Sequence, residues 1–399
     1  YQTSERLHLK IFREQMKHFI LLVFVFLAYF PTNIASKRII TGDERTELYF
    51  NLIKNKRIAL YSNHTGIAHK KHVVDLLIEK HMNVVAIFSP EHGFRGNADA
   101  GEHVGNSIDE KTGIPIISLY NGNNNENFGN NFDVLLIDIQ DVGLRFYTYY
   151  ITMWRLMNAC AKYDKQVIVL DRPNPNGFYV DGPILDLNYR SGVGWLPIPI
   201  VHGMTLGELA QMINGEKWLD NRKECKLKVI PCSNYRHSKS VKLQVPPSPN
   251  LPNMKSIYLY PSTCFFEGTI ISLGRGTDKP FQIYGHPDMK NCSFSFTPKS
   301  IPGAKNPPLL GKKCLGKDIS YVSNKIIKKQ GINLEYIIDA YNNLNIGESF
   351  FTNFFDKLAG CKYIRKMIIN GASASEIKAT WKEDVAKFKK QREPYMLYK

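Results

Sequence analysis

A chain of 399 residues with 43% hydrophobic and 22% charged side chains buries a large core, which excludes a disordered protein and suits two domains better than one. The formal net charge of +16 points to an anionic partner: nucleic acid, anionic lipid or an acidic wall polymer. Its basic runs, "KKHVV", "GKKCLGK" and "KFKKQR" (Lys387 to Arg392), lack interleaved aromatics and any nucleic-acid motif, so nucleic acid is not expected as a partner and these lysines read as a solvated face.

The first predicted element stands outside the fold. "HFILLVFVFLAYF" (His18 to Phe30) is too short an apolar run to span a bilayer comfortably. Arg13 and Lys17 precede it, and the small residues of "TNIAS" follow, which is the pattern of a signal peptide over residues 1–36. Export to the periplasm or extracellular space is expected, with no stable membrane anchor after cleavage; a retained N-terminal anchor is the plainer alternative. "MKHFILL" from Met16 reads as a natural start, so residues 1–15 are expected to be an added extension.

From there one unit repeats. "RIALYS" (Arg57 to Ser62), "NVVAIFS" (Asn83 to Ser89), "IPIISLY" (Ile114 to Tyr120), "FDVLLIDI" (Phe132 to Ile139) and "QVIVLD" (Gln166 to Asp171) are apolar, β-rich runs that end in polar turns. Amphipathic stretches such as "KHVVDLLIEK" and "ITMWRLMNACAKY" alternate with them. Near-continuous apolar strands alternating with helices predict a parallel sheet covered on both faces, an α/β doubly wound domain over residues 37–190. Ligands of such sheets bind beyond the carboxyl ends of the strands. Asn63 and His64, Glu91 and His92, Gln140 and Asp141, and Arg172 and Asn174 stand at four of those ends and are expected to converge on one crevice. No G-x-G-x-x-G and no P-loop occurs, so no nucleotide cofactor is expected.

Residues 191–399 are less regular and read as a smaller α+β domain. "TLGELAQMINGEKWL" is a helix with Thr205 as N-cap and Glu208 closing a capping box. "KLKVIPC" and "SIYLYPS" read as strands, "VPPSPNLPN" (Val245 to Asn253) as a rigid surface loop, and "NLEYIIDAYNNL" and "YIRKMIINGA" as helices. "SASEIKATWKEDVAKFKKQREPYMLY" reads as one final helix capped by Ser373 or Ser375. "NGNNNENFGNN" is an Asn-rich loop. Of the seven cysteines, Cys160 and Cys264 have core surroundings, Cys225 and Cys232 flank a strand and are able to pair in an oxidising compartment, and no CxxC supports zinc or redox chemistry.

With no metal motif and no G-x-S-x-G elbow, the chemistry left is carboxylate acid–base work. Glu91 in "FSPEHGFRG" is either a turn carboxylate or a general acid whose pKa is raised by Phe88 and Phe94. His92 and Arg95 are its neighbours in the same turn. Glu267 in "CFFEGT" faces either Arg275, as a structural pair, or the cleft. Asp141 is a third carboxylate, with Arg145, Tyr147 and Tyr149 nearby; an arginine beside aromatic faces suits an acidic sugar.

At these residues the chain resembles a known family. "SPEHGFRG", "DIQDVGLRFYTY", "DRPNPNG", "YPSTCFFEGT", "GRGTDKPFQ" and "FDKLAG" are similar to motifs of the NamZ-type exo-β-N-acetylmuramidases, from about Arg57 to the C-terminus. The resemblance implies a Rossmann-like domain, a smaller C-terminal domain and an active-site cleft between them. It implies metal-free release of N-acetylmuramic acid from non-reducing ends of peptidoglycan fragments, with such saccharides as partners. It places the catalytic glutamate at Glu91. The second group is Glu267 or Asp141, or else the substrate's own acetamide participates, oriented by His92 or Tyr147. The lactyl carboxylate is expected on Arg145, Arg172 or Arg275. A non-catalytic wall-binding protein on the same scaffold is the competing expectation.

Overall fold

The computed structural model describes residues 37–90, 94, 106–119 and 131–399, with residues 12, 16 and 17 of the N-terminal stretch. Glu91, His92, Arg95, most of the export segment and most of the Asn-rich stretch lie outside the described residues. Ile39–Lys399 is one unit by its internal contacts, distinct from Tyr1–Arg38. Among the described residues no helix is long and apolar enough to cross a membrane.

The five runs read as strands are strands: β1 (Ile58–Ser62), β4 (Val84–Ser89), β6 (Pro115–Ser118), β7 (Val134–Asp138) and β8 (Gln166–Leu170). A hairpin of β2 (Ile67–Ala68) and β3 (Lys71–His72) follows β1, and β5 (Ser107–Ile108) precedes β6. With β11 (Lys226–Ile230), which comes from beyond residue 190, they form a seven-stranded sheet in the order β11-β8-β7-β1-β4-β6-β5. All neighbours pair in parallel except the β5 edge. Successive side chains of a strand point to opposite faces, and the burial obeys that period. Ile58, Leu60, Val134, Leu136, Ile168 and Leu170 join one core with Val74 and Leu77. Ala59, Tyr61, Leu135, Ile137, Val167 and Val169 join the other, under the helix Tyr149–Lys162. The chain runs outward from β1 through β4 to β6, returns to β7 beside β1, and runs outward again through β8 to β11. The direction of winding therefore reverses between β1 and β7.

The remainder adds an antiparallel pair, β9 (Asp181–Ile184) with β10 (Pro199–Val201), and a small sheet of β12 (Ile283–His286), β13 (Phe294–Phe296) and β14 (Cys314–Asp318), with β14 central. Thr205 and Glu208 close the expected capping box on the helix Leu206–Gly215. "SIYLYPS" is not a strand but lies in a helix, Met254–Thr263, whose cap Asn253 accepts from Ser256 N. Its residues from Ser256 to Thr263 are all buried, so it shows no polar face whose spacing separates a buried helix from a buried strand. The final stretch is capped by Ser373 but breaks into Ala374–Ala379 and Lys382–Arg392, where Trp381 turns into the core. Cys225 and Cys232 are free and stand at opposite ends of β11. At ~3.3 Å per strand residue they are about 20 Å apart, beyond disulfide reach.

Arg145 joins these parts. Its side chain is fully buried. Nη1 donates to the carbonyls of Pro183 (2.7 Å) and Ile198 (3.1 Å), Nη2 to those of Leu358 (3.0 Å) and Ala359 (2.7 Å). The last two are end carbonyls of the helix Phe354–Ala359, which lack helical partners and carry the negative end of the dipole. Gly360 follows at φ 72°, and a Cβ there would lie 2.5 Å from Nη2. Burial lowers the guanidinium's pKa to about 10, which still leaves it charged at neutral pH. The expectation that Arg145 takes a substrate carboxylate is thereby corrected: no face of it reaches solvent. Arg145→Ala removes four hydrogen bonds to carbonyls, of which Ile198 O keeps another donor in Leu185 N (3.2 Å), and should lower stability by about 3–5 kcal/mol in urea unfolding; a loss within ~0.5 kcal/mol would mean the tie is dispensable.

Candidate active-site cleft

Among the described residues, the polar ends of β1, β7 and β8 satisfy one another; Glu91 and His92 lie outside them. Asn63 Oδ1 accepts from Thr65 N (3.0 Å) and Thr65 Oγ1 (2.6 Å), and Thr65 Oγ1 in turn accepts from Gln140 N (3.0 Å). Gln140 Nε2 donates to the carbonyls of Asp141 and Pro173. Arg172 is buried between Asp138 (2.6 Å) and Asp43 (2.5 Å). Burial raises both carboxyls, Asp43 to about 7, against the pull of Arg172. Asn174 donates to Met204 O and accepts from Asn176 N. Arg172 and Asn174, expected on substrate, are thus fastenings of the sheet's rim. A buried ion-pair cluster looks in sequence like a binding cluster because both require the same residue types.

The winding reversal between β1 and β7 is where sheets of this topology hold a ligand. Here the proline loop lies against it. His64 Nε2 donates to Pro246 O (2.9 Å), and the hydroxyls of Tyr147 (2.8 Å) and Tyr149 (3.3 Å) both donate to Pro247 O. Asn63 Nδ2 completes the set by donating to Tyr149 Oη (3.0 Å). The loop expected at the surface therefore has Pro247, Ser248, Asn250 and Leu251 buried.

Beside this plug opens a cleft of about 500 Å³. Tyr147, Tyr149 and Tyr260 line it, with Ser248 and Asn250 of the loop and Leu119 just beyond β6. The rings meet edge to face, Tyr147 with Tyr149 at 4.6 Å and Tyr260 with Phe281 at 4.7 Å. Glu267 and Arg275 stand together on its wall. Glu267 Oε1 accepts both Arg275 Nη2 (2.5 Å) and Nε (3.1 Å), while Oε2 has no partner among the described residues. Burial opposes the charge on Arg275, and Glu267 more than offsets it. The guanidinium also lies 5.1 Å over the Phe281 ring. Of the two readings of Glu267, structural pair and cleft acid, the geometry combines both.

Asp141 is nearly buried and does not line the described cleft. Oδ1 accepts from Gly143 N (2.6 Å), Oδ2 has no partner among the described residues, and burial pushes its pKa to about 7. Phe88 and Phe94, expected together beside Glu91, belong to cores on opposite faces of the sheet. Among the described residues no group of three or more His, Cys, Asp or Glu side chains is placed to hold a metal ion. Sequence reading missed Arg155, Lys357 and Tyr260 as cleft residues. Thr148, Ile151, Thr152 and Arg155 follow helical i, i+3, i+4, i+7 spacing and were legible as one face.

Family profiles described as "Exo-beta-N-acetylmuramidase NamZ, N-terminal" and "Exo-beta-N-acetylmuramidase NamZ, C-terminal" match residues 58–255 and 258–398. The chain is 39% identical over 374 residues to a Bacillus subtilis (strain 168) protein named peptidoglycan beta-N-acetylmuramidase NamZ, covering 88% of this chain and 89% of that one. A crystal structure of a DUF1343 family protein from Bacteroides fragilis NCTC 9343 superposes with a TM-score of 0.86 at 61% identity, over 91% of this chain and 99% of the other. A second DUF1343 family protein from that strain gives 0.77 at 29% identity, with the same coverages.

Asp141 carries a folded-state pKa above the ordinary 3.8. Its contribution to stability is therefore complete below about pH 4 and is lost as the pH rises through 7. Asp141→Asn should gain on the wild type by about 2 kcal/mol between pH 5.5 and pH 8 in urea unfolding. A constant difference across that range would count against a buried, titrating carboxyl.

Proposed function

This chain belongs to the NamZ family of exo-β-N-acetylmuramidases, and from that premise we propose that it is a glycoside hydrolase releasing terminal N-acetylmuramic acid from non-reducing ends of peptidoglycan fragments. The observation that carries the reading is Glu267, a carboxylate anchored through one oxygen on the wall of an aromatic cleft, with its second oxygen unpaired among the described residues. Tyrosine faces in that cleft suit a sugar ring, and carboxylates are the working groups of most glycoside hydrolases.

Glu91 is the general acid in this proposal and protonates the leaving glycosidic oxygen. It follows the last residue of β4, Ser89, by two positions, at a strand end of the kind that faces the ligand in this topology. Glu267 supplies the second carboxylate, its charge set against the positive charge that develops at the anomeric carbon. Arg275 holds that carboxylate in one orientation, so little reorganisation is needed as the bond breaks. Asp141, kept from the described cleft and half protonated near neutrality, is the weaker candidate. No step in this scheme calls for a metal. The apolar run at His18 to Phe30 supports export as the route to a wall substrate.

A chromogenic N-acetylmuramide and its N-acetylglucosamine counterpart test the reading together. Release from the muramide alone is expected; release from neither, with muropeptide still bound, would sink the hydrolase in favour of a wall-binding protein. Glu91→Gln should lower kcat by about 10²–10⁴, and a near-normal rate would move the acid role to another residue.

A further inference from the structure

The described lining of the cleft holds three cations, Arg155, Arg275 and Lys357, and one carboxylate, Glu267. Arg275 is committed to Glu267. Arg145 and Arg172 are buried and committed to carbonyls and to two aspartates. Arg155 and Lys357 are exposed and make no ion pair with any described residue. The acid next to Lys357, Asp356, is taken by Arg365 at 2.8 Å.

Both residues are aimed by their helices. Arg155 continues the face of Thr148, Ile151 and Thr152 on the helix Tyr149–Lys162, and all four line the cleft. Lys357 stands one turn from Phe354 on the helix Phe354–Ala359, and both line it too; residues three apart share a face. The second helix is the one whose carbonyl end Arg145 holds. A cleft whose described lining carries a surplus of positive charge, with two cations unpaired among the described residues, concentrates anions and orients a bound one.

We propose that Arg155 and Lys357 are the pair that reads an anionic substituent on the bound sugar, and that on a muramic substrate this substituent is the lactyl carboxylate. The identity of the sugar rests on the muramidase reading above; the charge of the cleft does not. Arginine offers a planar fork and lysine a point charge, so the pair tolerates some rotation of the lactyl group while rejecting a neutral one.

Calorimetric titration with N-acetylmuramic acid and with its lactyl methyl ester separates the two readings, because it does not depend on turnover. The wild type should bind the acid at least tenfold more tightly than the ester. The double variant Arg155→Gln/Lys357→Gln should bring that ratio close to one while leaving the affinity for the ester and the melting temperature unchanged. In turnover of the chromogenic muramide the same variant should raise KM with little change in kcat, and Lys357→Arg should keep most of the preference. Equal affinity of the wild type for acid and ester, or a preference that survives in the double variant, overturns the proposal. An acid preference without muramide hydrolysis would overturn the muramidase reading and leave the cation pair standing.

Discussion

A guanidinium buried without a counter-ion among the described residues governs this architecture. Arg145 leaves the turn after β7, and its four hydrogen bonds reach β9, the residue before β10 and the end of the helix Phe354–Ala359. A buried charge is costly unless it is hydrogen-bonded; Nε has no partner among the described residues, so the carbonyls that take the Nη hydrogens must stand where the fork can reach them. That requirement holds the helix bearing Phe354 and Lys357 against the doubly wound sheet, and with it one wall of the cleft. Gly360 is part of the same constraint, since its left-handed backbone and missing side chain leave room for Nη2.

The sheet has the winding of dinucleotide-binding proteins without their ligand chemistry. Its reversal point between β1 and β7 is covered by the proline loop, whose carbonyls at Pro246 and Pro247 accept from His64, Tyr147 and Tyr149. Proline suits this place because its carbonyl accepts while its nitrogen, lacking a hydrogen, needs no acceptor. With the polar strand ends turned on one another and the crevice plugged, the open cleft shifts sideways. It is walled by tyrosines, by the Glu267–Arg275 pair and by two helix faces. A scaffold common to many activities thus takes its chemistry from the groups grafted beside it.

Much of the fold was legible. Five strands with continuous apolar runs were readable because burial on both faces leaves no polar position within them, and the Thr205–Glu208 box and a cap at Ser373 or Ser375 were readable because capping is local. "SIYLYPS" was misread because a helix buried all round loses its amphipathic signature, although Asn253 and Ser256 offered a cap signal. The single final helix broke at Trp381 because burying that ring rewarded a bend that no local propensity records. The strand β11 lay beyond the point where the alternating pattern faded, and only pairing with β8 shows that it closes the sheet.

The sequence by itself determined the α/β class, the parallel strands, the family and the kinds of group available for chemistry, because alternation, capping and motif order are properties of neighbouring residues. Which cations are available to a ligand was decided only in three dimensions. Arg145, Arg172 and Arg275 are indistinguishable as residue types from Arg155. Their differences arise from partners 34 to 214 positions away along the chain for Arg145 and Arg172, and eight away for Arg275. A charge is committed or free according to what stands within hydrogen-bond reach of it, and that distance exists only once the chain has folded.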